Sequence, residues 1–221
     1  DMEKTWLKQY PQGVPANIDV EQYPSLVALL DASFAKFAAL PAYRFMGKAF
    51  TFAQIDEASR ALAAYLQSLG LAKGDRVAIM MPNVPQYPVA VAAILRAGYV
   101  AVNVNPLYTP RELEHQLKDS GSKAILIVEN FAHVLQKVLA AVPTKHLIVT
   151  ALGDMLGFPK ALIVNTVVRK VKKMVPAFQL PAAVTFNQAL ARGASMAFTP
   201  ARVGLDDIAV LQYTGGTTGV S

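Results

Sequence analysis

The sequence predicts an α/β fold, a mostly parallel sheet with flanking helices, and three observations predict it. Short apolar runs at 76–80, 99–104, 124–128 and 146–150 are rich in Val, Ile and Ala and read as buried strands. Segments of helical spacing separate them, at 85–97, 109–121 and 131–141. Strand and helix therefore alternate repeatedly, which is the pattern of parallel strands joined by helical crossovers. In such sheets ligands bind beyond the carboxyl ends of the strands.

The elements follow in order. Tyr23-Pro24-Ser25 precedes Leu26, Leu29, Leu30, Phe34 and Phe37 on one helical face, so a first helix starts near Ser25 and ends before Pro41. A second starts after Thr51, a capping residue, and keeps Ile55, Ala58, Leu62, Tyr65, Leu66 and Leu69 in register up to Gly70. Gly74-Asp75 turns the chain into the strand 76–80, which Pro82 ends. Thr109-Pro110-Arg111-Glu112 is a helix start with three concordant signals: threonine caps, proline suits the first turn, and the glutamate complements the helix dipole. That helix stops near Gly121, and a last strand is expected at 208–212.

Between 151 and 200 the alternation weakens, and Gly153, Gly157, Pro159, Pro176 and Pro181 interrupt the chain, so this stretch reads as an insertion. Within it, 160–174 places Ile163, Val164, Val167, Val168, Val171 and Met174 along one helical face. Asn165, Arg169, Lys170, Lys172 and Lys173 lie largely opposite. A basic amphipathic helix of this kind can lie on an anionic membrane surface, and it can equally be a surface helix whose valines pack on the domain.

Composition narrows the classes. The chain has 221 residues, 53% of them hydrophobic, enough to bury a substantial core. Its longest apolar run, 89–95, falls far short of the ~20 residues of a membrane-spanning helix. No cysteine is present, which removes disulfides, thiolate metal sites and a cysteine nucleophile. A net charge of +6 suits anionic partners. Nucleic acid is disfavoured, because no aromatic residues interleave with the basic cluster to stack on bases. His115, His133 and His146 share no ligand spacing, no G-x-S-x-G elbow occurs, and Asp206-Asp207 reads as a turn or cap.

The most informative segment is the last. After the apolar run, Thr214, Gly215, Gly216, Thr217, Thr218 and Gly219 form a hydroxyl-rich glycine loop at the expected sheet edge. Glycine lets backbone N–H groups approach an anion, and threonine hydroxyls add donors, so the loop suits polyphosphate. It is not a Walker loop, since the required Gly-Lys-Ser/Thr does not follow within the chain. On residues alone, a non-catalytic nucleotide- or phosphate-binding α/β module remains an alternative, as does a partner-binding domain using the basic helix.

Two segments together carry a resemblance. Met81-Pro-Asn-Val-Pro-Gln-Tyr-Pro88, running through Leu95-Arg-Ala-Gly-Tyr-Val-Ala-Val-Asn-Val-Asn-Pro-Leu-Tyr-Thr-Pro-Arg-Glu-Leu113, resembles the N-terminal region of acyl-adenylate-forming enzymes. Tyr213-Thr-Gly-Gly-Thr-Thr-Gly219 resembles their phosphate loop, and the Trp6, Tyr10, Pro11 pattern is similar to that of bacterial long-chain fatty-acid-CoA ligases.

The resemblance implies that residues 1–221 are the N-terminal portion of an AMP-binding domain, cut within the phosphate loop. It implies ATP, Mg²⁺ and coenzyme A as cofactor and co-substrates, with a fatty acid as the group activated. Thr214, Gly215, Gly216, Thr217, Thr218 and Gly219 would cradle the ATP phosphates, with Thr214 near the Mg²⁺. Gly215 replaces the family's usual serine, which removes one hydroxyl and keeps the N–H. No catalytic residue is expected within this chain, and alone it is expected to be inactive. A cytoplasmic location is expected, peripheral on the inner face of the membrane through Arg169, Lys170, Lys172 and Lys173. An open sheet edge would favour a homodimer.

Overall fold

Residues 4–214 are described by a computed structural model. The first layer begins with α1 (Leu26–Lys36), whose start is fixed by the Ser25 hydroxyl accepting from Ala28 N–H at 3.1 Å. A small antiparallel hairpin follows, β1 (Pro41–Phe45) and β2 (Lys48–Thr51), turning at Met46-Gly47. Helix α2 (Phe52–Gln67) starts from a reciprocal cap in which Thr51 and Gln54 each accept the other's backbone N–H.

The main sheet has six strands: β3 (Arg76–Met80), β4 (Val100–Asn103), β5 (Ala124–Val128), β6 (His146–Thr150), β7 (Val184–Thr185) and β8 (Val210–Gln212). Their spatial order is β7-β6-β5-β3-β4-β8, and every pairing is parallel. The crossovers are α3 (Gln86–Arg96), α4 (Pro110–Ser120), α5 (Ala132–Val138), α6 (Lys160–Thr166) and α7 (Phe186–Ala194). Helix α4 has the Thr109–Glu112 reciprocal cap and proline at its first turn, and it ends on Gly121 in the left-handed region at φ 62°.

Strand periodicity assigns the two faces. Along β3, Val77 and Ile79 join α1, α2, α3 and α7 in one core cluster, whereas Ala78 and Met80 join α4 and α5 in the other. All five residues of β5 are buried, as a strand covered on both faces requires. The last residue of α3, Arg96, is itself buried, bonded to the carboxylates of Asp31 and Asp56 and to Ser59 Oγ, and lies over the Phe34 ring. A buried guanidinium is tolerable only with such partners.

The stretch 151–200 has two parts. Its first half holds α6, which continues as a π-helical turn, Val167–Val171. Its second half supplies β7 and α7 to the main sheet and its helical layer. Gly193 on α7 permits that packing, because a Cβ there would lie 1.8 Å from the Ala61 carbonyl oxygen of α2.

The chain runs outward from β3 to β4, reverses to fill β5, β6 and β7 on the other side, then returns to place β8 outside β4. The carboxyl end of β8 therefore lies beside that of β4, with Asn103 opposite Gln212.

Candidate functional site

Parallel pairing of β8 on β4 delivers Tyr213 and Thr214 to the carboxyl edge of the sheet. A polar cleft of about 470 Å³ opens there, between the ends of these strands and the start of α4. Asn103 is its hub. The Asn103 side chain accepts from Tyr87 Oη–H at 2.9 Å and donates to Gln212 Oε1 at 2.8 Å, while Gln212 Nε2–H donates onward to the Tyr213 carbonyl at 3.2 Å. The Asn103 carbonyl accepts from Gln116 Nε2–H at 2.7 Å. Strand end, edge strand and the root of the glycine loop are thus joined by one polar relay.

Two charges shape the cleft. The Tyr213 hydroxyl donates to Asp119; burial first, then that hydrogen bond and the nearby negative charge push its pKa up to about 12. Tyr213 is therefore a neutral donor across the physiological range. Glu112 closes the start of α4 by accepting from Thr109 N–H and Oγ1–H, which holds its pKa below the usual carboxylate range. The α4 dipole is thereby already complemented.

Of the sequence-predicted phosphate residues, Thr214 is exposed at this edge, next to Tyr213. Gly215, Gly216, Thr217, Thr218 and Gly219 lie outside the described residues. Among the described residues no cluster of three His, Asp or Glu side chains could hold a metal ion alone. The Thr214 hydroxyl does suit Mg²⁺ that arrives with a nucleotide, since this ion takes one or two protein oxygens and completes its shell with phosphate and water.

The basic cluster divides. Arg169 makes a two-pronged pair with the buried carboxylate of Glu129, at 2.8 and 3.0 Å from Nε and 2.8 Å from Nη2, and that hydrogen bond raises its pKa. Lys170, Lys172 and Lys173 are exposed. Asp207 has the turn role expected of it, accepting from Gly204 N–H at 2.8 Å while pairing with Lys73. The sequence reading missed Tyr87, Asn103 and Gln212. Its available signal was a pair of amides at the carboxyl ends of two strands, where polar side chains face a ligand edge.

The family of AMP-binding enzymes matches residues 30–221. The chain belongs to that family. It is 54% identical over all 221 residues to a long-chain-fatty-acid–CoA ligase of Salmonella typhimurium, and 51% identical over the same length to that of Haemophilus influenzae. It spans 39% of the length of each of these curated relatives. In architecture it is similar to an anthranilate CoA ligase solved with anthranoyl-AMP (TM-score 0.73, 18% identity, 92% of this chain and 35% of that one). It is also similar to a long-chain-fatty-acid-CoA ligase of Archaeoglobus fulgidus (TM-score 0.66, 25% identity, 96% of this chain and 38% of that one).

Proposed function

We propose that this chain is part of a long-chain fatty-acid–CoA ligase and supplies the scaffold and root of its ATP phosphate loop. The observation that carries the reading is identity above half, over the whole chain, to ligases of that name. The parallel sheet that presents Tyr213 and Thr214 at its carboxyl edge supports it.

In this reading a fatty carboxylate oxygen attacks the α-phosphorus of ATP. The bond to the bridging oxygen breaks, pyrophosphate leaves, and an acyl-adenylate forms. The thiol of coenzyme A then attacks the acyl carbon, AMP departs, and a thioester results. Negative charge grows on the departing pyrophosphate, so N–H and hydroxyl donors supplied by residues 214–219 would lower the barrier. When bound, Mg²⁺ would neutralise phosphate charge, with Thr214 as its protein-side oxygen. Asn103 and Gln212 fix where the loop starts, and the neutral Tyr213 hydroxyl, tied to Asp119, holds the loop root against α4. A cytoplasmic protein resting on the inner membrane face suits a substrate that partitions into bilayers.

The test is pyrophosphate release by the full-length protein with ATP, Mg²⁺ and oleate. Fatty-acid-dependent release supports the ligase reading. A folded full-length protein that binds ATP yet releases none with short, aryl or long acids would replace it with a phosphate-binding module.

A further inference from the structure

Of the segment Met81-Pro-Asn-Val-Pro-Gln-Tyr-Pro88, only Tyr87 enters the Asn103 relay. Pro82, Pro85 and Pro88 fix the backbone between the end of β3 and the first turn of α3. This stiff segment faces β1 across a slot of about 270 Å³, lined by Tyr43, Phe45, Val84, Pro85, Tyr87 and Pro88. Val84 and Pro85 are buried, while Tyr43 is 46% exposed. Burial, and then the neighbouring Tyr87, hold the Tyr43 phenol above its ordinary value of 10.0, so the slot's wall carries no phenolate at neutral pH. An apolar concavity between a proline-stiffened segment and a strand is formed before any ligand arrives, which keeps the ordering cost of binding low.

The rim supplies a charge. Arg44 and Asn83 also border the slot and are exposed, and the Arg44 guanidinium has no hydrogen bond or ion pair with another described residue. No Asp or Glu occurs in either wall, over 41–51 or 81–95. Helix α3 also starts without a side-chain cap or an acidic residue in its first turn, so the positive end of its dipole is uncompensated on the same wall. An aromatic and proline-lined slot with a free guanidinium at its rim complements an amphiphile with one negative head, an alkyl chain ending in a carboxylate.

We propose that this slot binds a free fatty acid, its alkyl chain against Tyr43, Phe45, Tyr87 and Pro88 and its carboxylate at Arg44. The proposal rests on the ligase reading for the identity of the acid. It gives the chain a holding site for that acid at the carboxyl edge of the sheet, joined to the root of the glycine loop by the Tyr87 hydroxyl on Asn103.

The experiment is photo-cross-linking of the full-length protein, without ATP or Mg²⁺, to decanoate with a diazirine on its chain, the labelled peptides being mapped by mass spectrometry. Label should fall within 43–45 and 83–88. Decanoate should displace it about tenfold better than decanol, which has the chain without the charge, and displacement should strengthen about fourfold per methylene from hexanoate to decanoate. Arg44→Gln should weaken labelling of these peptides about tenfold at an unchanged melting temperature, and Arg44→Lys should restore part of it. Lys137→Gln, on the other face of the sheet, should change nothing. Absence of label from both segments would overturn the proposal, as would decanol competing as well as decanoate, or Arg44→Gln labelling like wild type. Pyrophosphate release with oleate is measured separately. Release without label in the slot removes the proposal and leaves the ligase reading; displaceable label in the slot with no release from any acid removes the ligase reading and leaves a carboxylate-binding protein.

Discussion

Asn103, the last residue of β4, donates its side-chain amide to Gln212 Oε1 across 2.8 Å, at the last residue of β8. The same amide group accepts from Tyr87, so an edge strand that pairs over only three residues is locked to the interior of the sheet just before the glycine loop. Replacing Asn103 by Ala removes both bonds, each worth about 0.5–1.5 kcal/mol. In the full-length protein, KM for ATP should rise about three- to tenfold while KM for the fatty acid holds. Equal increases for both substrates, together with a lowered melting temperature, would mean that the relay merely stabilises the fold.

Gly193 makes a sharper demand. A methyl group there would lie 1.8 Å from the Ala61 oxygen, 2.7 Å from its carbonyl carbon and 3.1 Å from Tyr65 N. All three are helix backbone and cannot rotate away, so Gly193→Ala must push α7 off α2. Urea denaturation should show a loss of about 3 kcal/mol, the upper end for overpacking. Gly204→Ala, where nothing lies within 4 Å, is the control and should stay within about 0.5 kcal/mol.

These two cases mark what the sequence can disclose. The strand 124–128 is legible because a run covered on both faces must be continuously apolar, and α4 is legible because Thr109, Pro110 and Glu112 are local signals. Helix α7 is different: its docking depends on Gly193 meeting a carbonyl from a helix far earlier in the chain. Strand β7 is two residues long, too short for any periodicity, and the β1–β2 hairpin turns at Met46-Gly47, outside the usual Asn-Gly or Asp-Gly signals. The site divides the same way. Thr214 can be read from composition, but the Tyr87–Asn103–Gln212 relay exists only once three separate elements share one edge. The amphipathic reading of 160–174 found the right segment and put too many residues on one face. Only Val164 and Val168 of its six turn inward, because Asn165 and Arg169 are anchored by Gly153, Asp154 and Glu129 on that side.

Asp75 gives a pH signature. Burial favours its neutral form, but hydrogen bonds from Lys123 Nζ at 3.0 Å and Ala72 N–H at 2.8 Å outweigh burial, so its pKa lies below the ordinary 3.8. A depressed folded-state pKa contributes stability that is fully present above the unfolded value and is lost as pH falls through the folded one. The stability gap between wild type and Asp75→Asn should therefore be constant from about pH 5 to 7 and narrow below about pH 4. A gap that stays constant down to pH 3 would remove the ion pair from the account.

Arg169 and Lys170 are neighbours in different surroundings, the first paired with Glu129 and the second with no carboxylate among the described residues, which makes them the most economical comparison. The Glu129 carboxylate is 7% exposed, so Arg169→Gln strips most of the compensation from a buried anion. Because the Arg169 side chain is itself 47% exposed, the loss belongs at the low end of the range for such pairs, about 1.5 kcal/mol. Glu129→Gln should cost a similar amount, and the double variant less than the sum, since each single change already abolishes the shared pair. Lys170→Gln, lacking any carboxylate partner among the described residues, should leave stability within about 0.5 kcal/mol. The decisive contrast is in stability: Arg169→Gln should lower the denaturation midpoint clearly, and Lys170→Gln should leave it in place. Equal midpoints for both substitutions would mean that the Glu129 pair contributes nothing to stability.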